Sequence, residues 1–225
     1  MKKLRIPKNL TDLAYNSIKE YIVQGKLDGE SRLTEEFLSK QLGISKSPIR
    51  EALNRLETEG LIRIEPRRGA YLRTFSPKEI DDLYDLRELL EVHAIGSATL
   101  SARLLRDLRR SLERMREYLK NNDKARYIAE DAGFHALLAS AAPNVRLRDV
   151  LQNLQNQIWL SRRESYDLSS STACDFHEGI VKALEKGDRA KARSVMSRHS
   201  RTVRTRLLQH LETQNSELRS KSLAG

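Results

Sequence analysis

Only one stretch of this chain reads as β-structure, and helical patterns lie on both sides of it. Leu61–Ile64 and Ala70–Leu72 are short runs rich in β-formers, and they flank Pro66-Arg67-Arg68-Gly69, a compact turn carrying two cations. That arrangement predicts a β-hairpin. Upstream, Leu13, Ala14, Ile18, Tyr21 and Ile22 recur at helical spacing, and Gly25 and Gly29 then break the pattern. Thr34 is placed to cap a second helix holding Phe37, Leu38 and Leu42, which Gly43 ends in the left-handed conformation that glycine tolerates. Ser45 is placed to cap a third helix, with Pro48 in its first turn, Ile49, Leu53 and Leu56 on its core face, and Gly60 closing it. Helix, turn, helix and hairpin in one compact segment make a winged helix-turn-helix.

Ser76-Pro77 reopens the chain as an N-cap followed by proline at the first helical position. The domain boundary is drawn there, giving domains 1–75 and 76–225. Beyond it helices are expected at 78–100, 102–121, 123–141, 144–166, 173–186 and 189–214. The breaks fall at 121–123, 142–144, 168–171 and 186–188, with fraying from Ser216. Such short connections favour an antiparallel all-helical bundle. The fold class is therefore mainly α, with one small β wing.

Composition narrows the function. The net charge of +10 favours a polyanionic partner, since each phosphate neutralised by Lys or Arg releases a counterion. Cys174 is the single cysteine, so no internal disulfide forms, which fits a reducing cytoplasm. No apolar run approaches the roughly 20 residues of a membrane span, and no apolar signal segment follows the basic N-terminus.

In a helix-turn-helix, the first residues of the second helix reach base edges in the major groove. Here they are Ser45, Lys46 and Ser47, with Arg50 one turn on. Arg67, Arg68 and Gly69 form the wing tip, and Arg32 precedes the second helix within reach of phosphate. Leu42-Gly43-Ile44-Ser45-Lys46-Ser47-Pro48-Ile49-Arg50-Glu51-Ala52-Leu53, with Arg55-Leu56, Glu59-Gly60-Leu61 and the later Arg68-Gly69-Ala70-Tyr71, resembles the DNA-binding domain of the GntR family of regulators. The resemblance implies a homodimer on a short palindromic duplex operator. Lys46 departs from it, standing where the family more often has Arg. Lysine is a point charge, so a forked contact to guanine becomes single.

Three of the five histidines fall into a pattern. Asp131 and His135 are spaced i, i+4 and share a helix face. His177 stands ten residues before Gly187 and His199 eleven after Asp188, so an antiparallel hairpin would bring them level. One carboxylate and three imidazoles converging in a bundle core suit one divalent transition metal per chain: Zn²⁺ first, with Ni²⁺, Mn²⁺ or Fe²⁺ also compatible. His93 and His210 have no such partners. Asp131-Ala132-Gly133-Phe134-His135 resembles the D-x-x-x-H segment of the FadR-like C-terminal (FCD) domain of one GntR subfamily. His177 with Ala183, Gly187-Asp188, Ala190 and His199 resembles its closing helix pair, and Leu86-Arg87-Glu88-Leu89-Leu90-Glu91 its opening helix. The resemblance implies Asp131, His135, His177 and His199 as metal ligands. It also implies a small carboxylate or sugar acid that completes the coordination and alters the grip on DNA, most simply by releasing a repressor.

Such an effector needs cationic support. Arg87 is the arginine assigned to it, whereas most of Arg146, Arg148, Arg162 and Arg163 are expected at the surface. Gln155 and Trp159, spaced i, i+4, are assigned to the same cavity, although a solvated face and simple core packing explain them as well. Two other functions compete. A metal enzyme lacks an aimed general base, because Glu130 and Glu178 adjoin Asp131 and His177 and point about 100° away on a helix. An architectural DNA-binding dimer would leave the histidines incidental.

Overall fold

One side-chain cap, one serine hydroxyl and one glycine set the frame of the first unit. The structure is a computed structural model and describes residues 9–23 and 32–223. The breaks read at Gly25 and Gly29, and the basic N-terminus, lie outside the described residues. The chain divides into two units, Met1–Thr74 and Phe75–Gly225.

In the first unit, α1 (Leu10–Val23), α2 (Glu35–Leu42) and α3 (Lys46–Thr58) accompany a three-stranded antiparallel sheet of β1 (Arg32–Leu33), β2 (Ile62–Glu65) and β3 (Gly69–Leu72). The Thr34 hydroxyl accepts from the Phe37 N–H, satisfying one orphan donor at the start of α2. Gly43, at φ 66°, closes α2 and returns its N–H to Ser39. Ser45 occupies the N-cap of α3 in extended backbone but makes no side-chain cap, contrary to expectation. Instead the Ser39 hydroxyl donates to the Ile44 carbonyl and fixes the turn from its α2 side. Ile49, Ala52, Leu53 and Leu56 of α3 are buried with Ala14, Ile18 and Ile22 of α1, whereas Leu13 is exposed.

The hairpin is β2–β3, with Ile62 opposite Leu72 and Glu65 opposite Gly69. Strand β1 was not anticipated, because two residues are too short to show alternation. It pairs Arg32 with Tyr71 and Leu33 with Ala70, burying Leu33 and leaving Arg32 outside. Arg67 takes φ 65° at the hairpin tip. Gly69 has φ 110°, and a Cβ there would stand 2.9 Å from the Leu33 carbonyl oxygen. Strain and clash then act together, so Gly69→Ala is expected to destabilise this unit by about 1–3 kcal/mol. Urea denaturation of residues 1–225 followed in the first unit, with Gly133→Ala as an unclashed control, measures it. An unchanged midpoint would remove the argument.

The second unit is all-helical: α4 (Pro77–Ser97), α5 (Ala102–Lys120), α6 (Lys124–Ser140), α7 (Val145–Glu185) and α8 (Arg189–Leu223). Ser76 and Glu79 form a reciprocal capping box, with Pro77 at the first helical position. Ser101, Asp123 and Asn144 cap the next three helices through their side chains. The break expected at 168–171 is absent, and α7 runs through it for 41 residues. The serines do not divert the backbone, since the Ser169 hydroxyl bonds the Ser165 carbonyl one turn back. Neighbours also reach the local carbonyls: Tyr127 Oη donates to Ser170 O and Arg206 to Leu168 O. Likewise α8 continues past Ser216, with Thr213 and Ser216 bonding carbonyls four residues back.

Helices α4 and α7 both pack on α8, and α6 packs on α5 and α7. One apolar cluster joins Ile80 and Tyr84 of α4, Leu151, Leu154 and Ile158 of α7, and Val203 and Leu207 of α8. Among the described residues, no helix is long and apolar enough to cross a membrane.

Candidate metal centre and nucleic-acid interface

Helix α6 carries Asp131 and His135 on one face, α7 brings His177 and α8 brings His199. Each of the three histidines is at most 2% exposed. The rings meet at centroid separations of 5.1 Å (135–177), 5.3 Å (135–199) and 4.7 Å (177–199). One nitrogen from each lies within 4.8 Å of the others. Asp131 Oδ1 stands 3.6 Å from His177 Nε2 and 3.9 Å from His135 Nε2, so the carboxylate faces the same centre.

Neither nitrogen of His177 or of His199 has a hydrogen-bond partner. Burying an unpaired imidazole nitrogen is costly, so four such atoms side by side need an explanation. Burial lowers all three histidine pKa values, His177 to about 4, which keeps the rings neutral. Neutral imidazoles with unpaired nitrogens beside a carboxylate are the donor set of a borderline transition metal. The residues present fit such an ion.

A ring of charge surrounds the cluster. Arg87 donates from Nε to Glu91 Oε2 at 3.1 Å, and its Nη2 meets His135 Nε2 at 2.7 Å. Arginine can only donate, so His135 Nε2 accepts and the ring proton sits on Nδ1. Glu91 Oε1 lies 2.9 Å from that Nδ1 and accepts from Gln155 Nε2. Gln155 Oε1 in turn accepts from Arg162 Nη2 at 2.9 Å, and Arg162 Nε meets Asp131 Oδ2 at 2.6 Å. Burial is the largest influence and would raise the Asp131 pKa, but Arg162, the two imidazoles of His135 and His177, and Arg87 together outweigh it, and the carboxyl titrates below its ordinary value.

Arg162 is therefore buried, an exception among arginines of which most were expected at the surface. It stands two turns from Gln155 on α7, a spacing that returns it to the same inward face. That spacing was the available signal. Glu91 was missed as well, although it lies i, i+4 from Arg87. Arg146 is exposed as expected and Arg148 is half-buried, while the side chain of Arg163 lies outside the described residues. Arg87 lines a small cleft of about 30 Å³ with Tyr84, Tyr127, Asp131, Arg162 and His199. Gln155 and Trp159 do not line it. Gln155 braces the two arginines from behind, and Trp159 is buried with its indole N–H unpaired. Cys174 is a buried thiol whose pKa is pushed up to about 11 by burial.

Glu130 is held by Arg114 and Ser111, and Glu178 by Arg109, Arg116 and Lys182. Neither carboxylate is turned toward the histidines to serve as a base.

In the first unit, Ser45, Lys46, Ser47 and Arg50 are exposed along the start of α3, and Arg67 and Arg68 at the wing tip. A groove of about 450 Å³ is lined by Arg32, Arg50, Arg67, Arg68 and Gly69, together with Glu35 and Asn54. Lys46 and the two serines lie outside that lining. Glu35, which the sequence reading passed over, holds Arg50 in a fork at 2.8 and 2.7 Å.

Comparison with known proteins agrees with both halves. Residues 10–72 match the gntR family of bacterial regulatory proteins, and residues 82–202 match the FCD domain. The gluconate operon transcriptional repressor of Bacillus subtilis (strain 168) is 31% identical over 179 residues, covering 75% of this chain and 73% of that protein. The HTH-type transcriptional regulator YdhC of the same organism is 28% identical over 190 residues, covering 82% and 85%. The structure of McbR/YncC from E. coli has the same fold, with a TM-score of 0.79 at 21% identity over 89% of this chain and 98% of that one. The chain belongs to the GntR family of bacterial regulatory proteins and carries an FCD domain: it is a DNA-binding transcription regulator, not an enzyme.

Proposed function

We propose that this regulator is a cytoplasmic homodimeric repressor of a palindromic operator. Its affinity for DNA is controlled by a small carboxylate or sugar acid bound beside one divalent transition metal per chain, with Zn²⁺ first and Ni²⁺, Mn²⁺ or Fe²⁺ as alternatives. Asp131, His135, His177 and His199 hold the ion. The observation that carries the reading is the pair of fully buried imidazoles, His177 and His199, whose four nitrogens lack partners.

Bound there, a divalent ion supplies a Lewis-acidic position for an anion's oxygen. Charge balance explains why the ligand is an anion. Arg87 and Arg162 are cancelled by Glu91 and Asp131, so a divalent cation leaves two buried positive charges that only an anion offsets. Arg87 and Arg162 line the cleft beside His199 and are placed to orient it. The cleft is far smaller than a typical ligand pocket of several hundred Å³, so admitting a metabolite requires side chains to move. A relative that represses a gluconate operon supports the sugar-acid class.

Lys46, Ser45, Ser47 and Arg50 read the major groove, while Arg32, Arg67, Arg68 and Gly69 grip the flanking backbone or minor groove. The test is operator selection from random duplexes, followed by affinity titrations with metal and a panel of small carboxylates and sugar acids. At least one anion should weaken the complex only when metal is present. Indifference to every anion and to chelation would leave a plain DNA-binding dimer. In the same assay, Lys46→Ala is expected to cost about 1–3 kcal/mol on the selected operator and relax the preference at one base pair. An equal loss on scrambled DNA, with a salt slope shallower by about one, would make Lys46 a phosphate contact instead.

A further inference from the structure

His135 Nε2 has one lone pair, and Arg87 already takes it. Arg87 is 1% exposed, and its Nη2 lies 2.7 Å from that nitrogen. Nε2 is also the nitrogen of His135 that faces Asp131 Oδ1, as does Nε2 of His177. A ligand nitrogen cannot at once accept from arginine and donate to a metal. From this we infer that Arg87 and the metal are mutually exclusive partners of His135, so metal loading releases Arg87 toward the cleft and arms it for an anion.

The surroundings define what the release involves. Arg87 keeps a second anchor, Glu91 Oε2 at 3.1 Å, so it can leave the imidazole without losing its counter-charge. Glu91 is itself braced by Gln155 Nε2, and Gln155 by Arg162, so the carboxylate stays while the guanidinium turns. The space beside it is the cleft lined by Tyr84, Asp131, Arg162 and His199. Arg162 Nη1 is buried there without a hydrogen-bond partner. A carboxylate in the cleft would meet that donor and the freed Arg87 together. The same linkage runs backward: an anion that draws Arg87 off His135 uncovers a metal ligand. Metal and anion therefore favour each other's binding, by the roughly 5- to 150-fold usual for coupled sites.

This coupling rests on the metal-site reading, and one experiment separates the two. Zn²⁺ affinity is measured by competition with a chromophoric chelator, in carboxylate-free buffer, for the wild type, Glu91→Gln, and Glu91→Gln/Arg87→Met. Glu91→Gln is the proper reference, because removing Arg87 alone would strand a buried carboxylate that attracts metal for its own reasons. The double variant should bind Zn²⁺ at least about fivefold more tightly than Glu91→Gln, since its His135 no longer has a competing donor. Equal or weaker binding overturns the coupling and leaves the metal site standing. No binding by the wild type removes both. Should the double variant fail to fold, the crystal structure of the zinc-loaded wild type decides. Arg87 Nη2 beyond hydrogen-bonding distance of His135 Nε2 supports the exchange, and Arg87 still bonded there overturns it.

Discussion

Arg162→Met is expected to destabilise the metal-free second unit by about 3–5 kcal/mol, the usual cost of stripping one partner from a buried ion pair. Arg162 Nε sits 2.6 Å from Asp131 Oδ2, and both residues are buried. Without the guanidinium, the nearest groups left to Asp131 are neutral imidazoles at 3.6 Å or more, and Gln155 loses the donor to its carbonyl oxygen. The loss depends on pH with a definite sign. The Asp131 pKa is lower folded than its ordinary value, so its pairing stabilises the fold above the unfolded pKa and is lost as pH falls through the folded one. The deficit of the variant should therefore be largest near pH 7 and shrink below about pH 4. Urea denaturation in chelator, at pH 7 and at about pH 3, reads both. Pairing the change with Asp131→Leu should recover much of the loss, because a well-packed apolar pair often replaces a buried ion pair at little cost. A single variant as stable as the wild type would mean that the contact is not held in solution.

The second large effect separates ligation from packing. His177→Ala should lower zinc affinity by roughly two decades. A structural zinc site is worth about 10–16 kcal/mol over four ligands, or about 3 kcal/mol for each. Its effect on metal-free stability should be far smaller than the size of the side chain suggests. The lost contact with Phe134, whose ring centroid lies 4.4 Å away, is offset by removing two buried nitrogens that have no partners. Elemental mass spectrometry on untagged protein should find about one transition metal per wild-type chain and much less in the variant. Metal content unchanged by the substitution would end the ligand assignment. A large fall in metal-free stability with metal retained would make His177 a packing residue.

What could be read without a structure was whatever depends on neighbours along the chain. The capping residues Thr34 and Ser76, the left-handed Gly43 and the hairpin turn at 66–69 all act within four residues of themselves, so their types announce the elements they bound. The histidine cluster was legible for a related reason. The i, i+4 spacing of Asp131 and His135 and the near-equal offsets of His177 and His199 from one helix turn are regular features of helices.

Where local reasoning failed, a distant partner had changed the balance. The segment 168–171, with its three serines, resembles a break, but Tyr127 and Arg206 reach its carbonyls from other helices and keep α7 whole. Ser45 looks like a cap, yet the turn is held by Ser39 instead. Strand β1 exists only because β3 lies beside it. By itself, then, the sequence determined the two-part architecture, the helix-turn-helix with its wing and the identity of the convergent histidines. Only the tertiary structure decided that Arg162 and Glu91 close a ring of charge around them, and that Arg87 rests on a ligand nitrogen. A buried arginine looks like any surface arginine until the carboxylate that makes its burial tolerable is seen opposite it, and that partner lies 31 residues away on another helix.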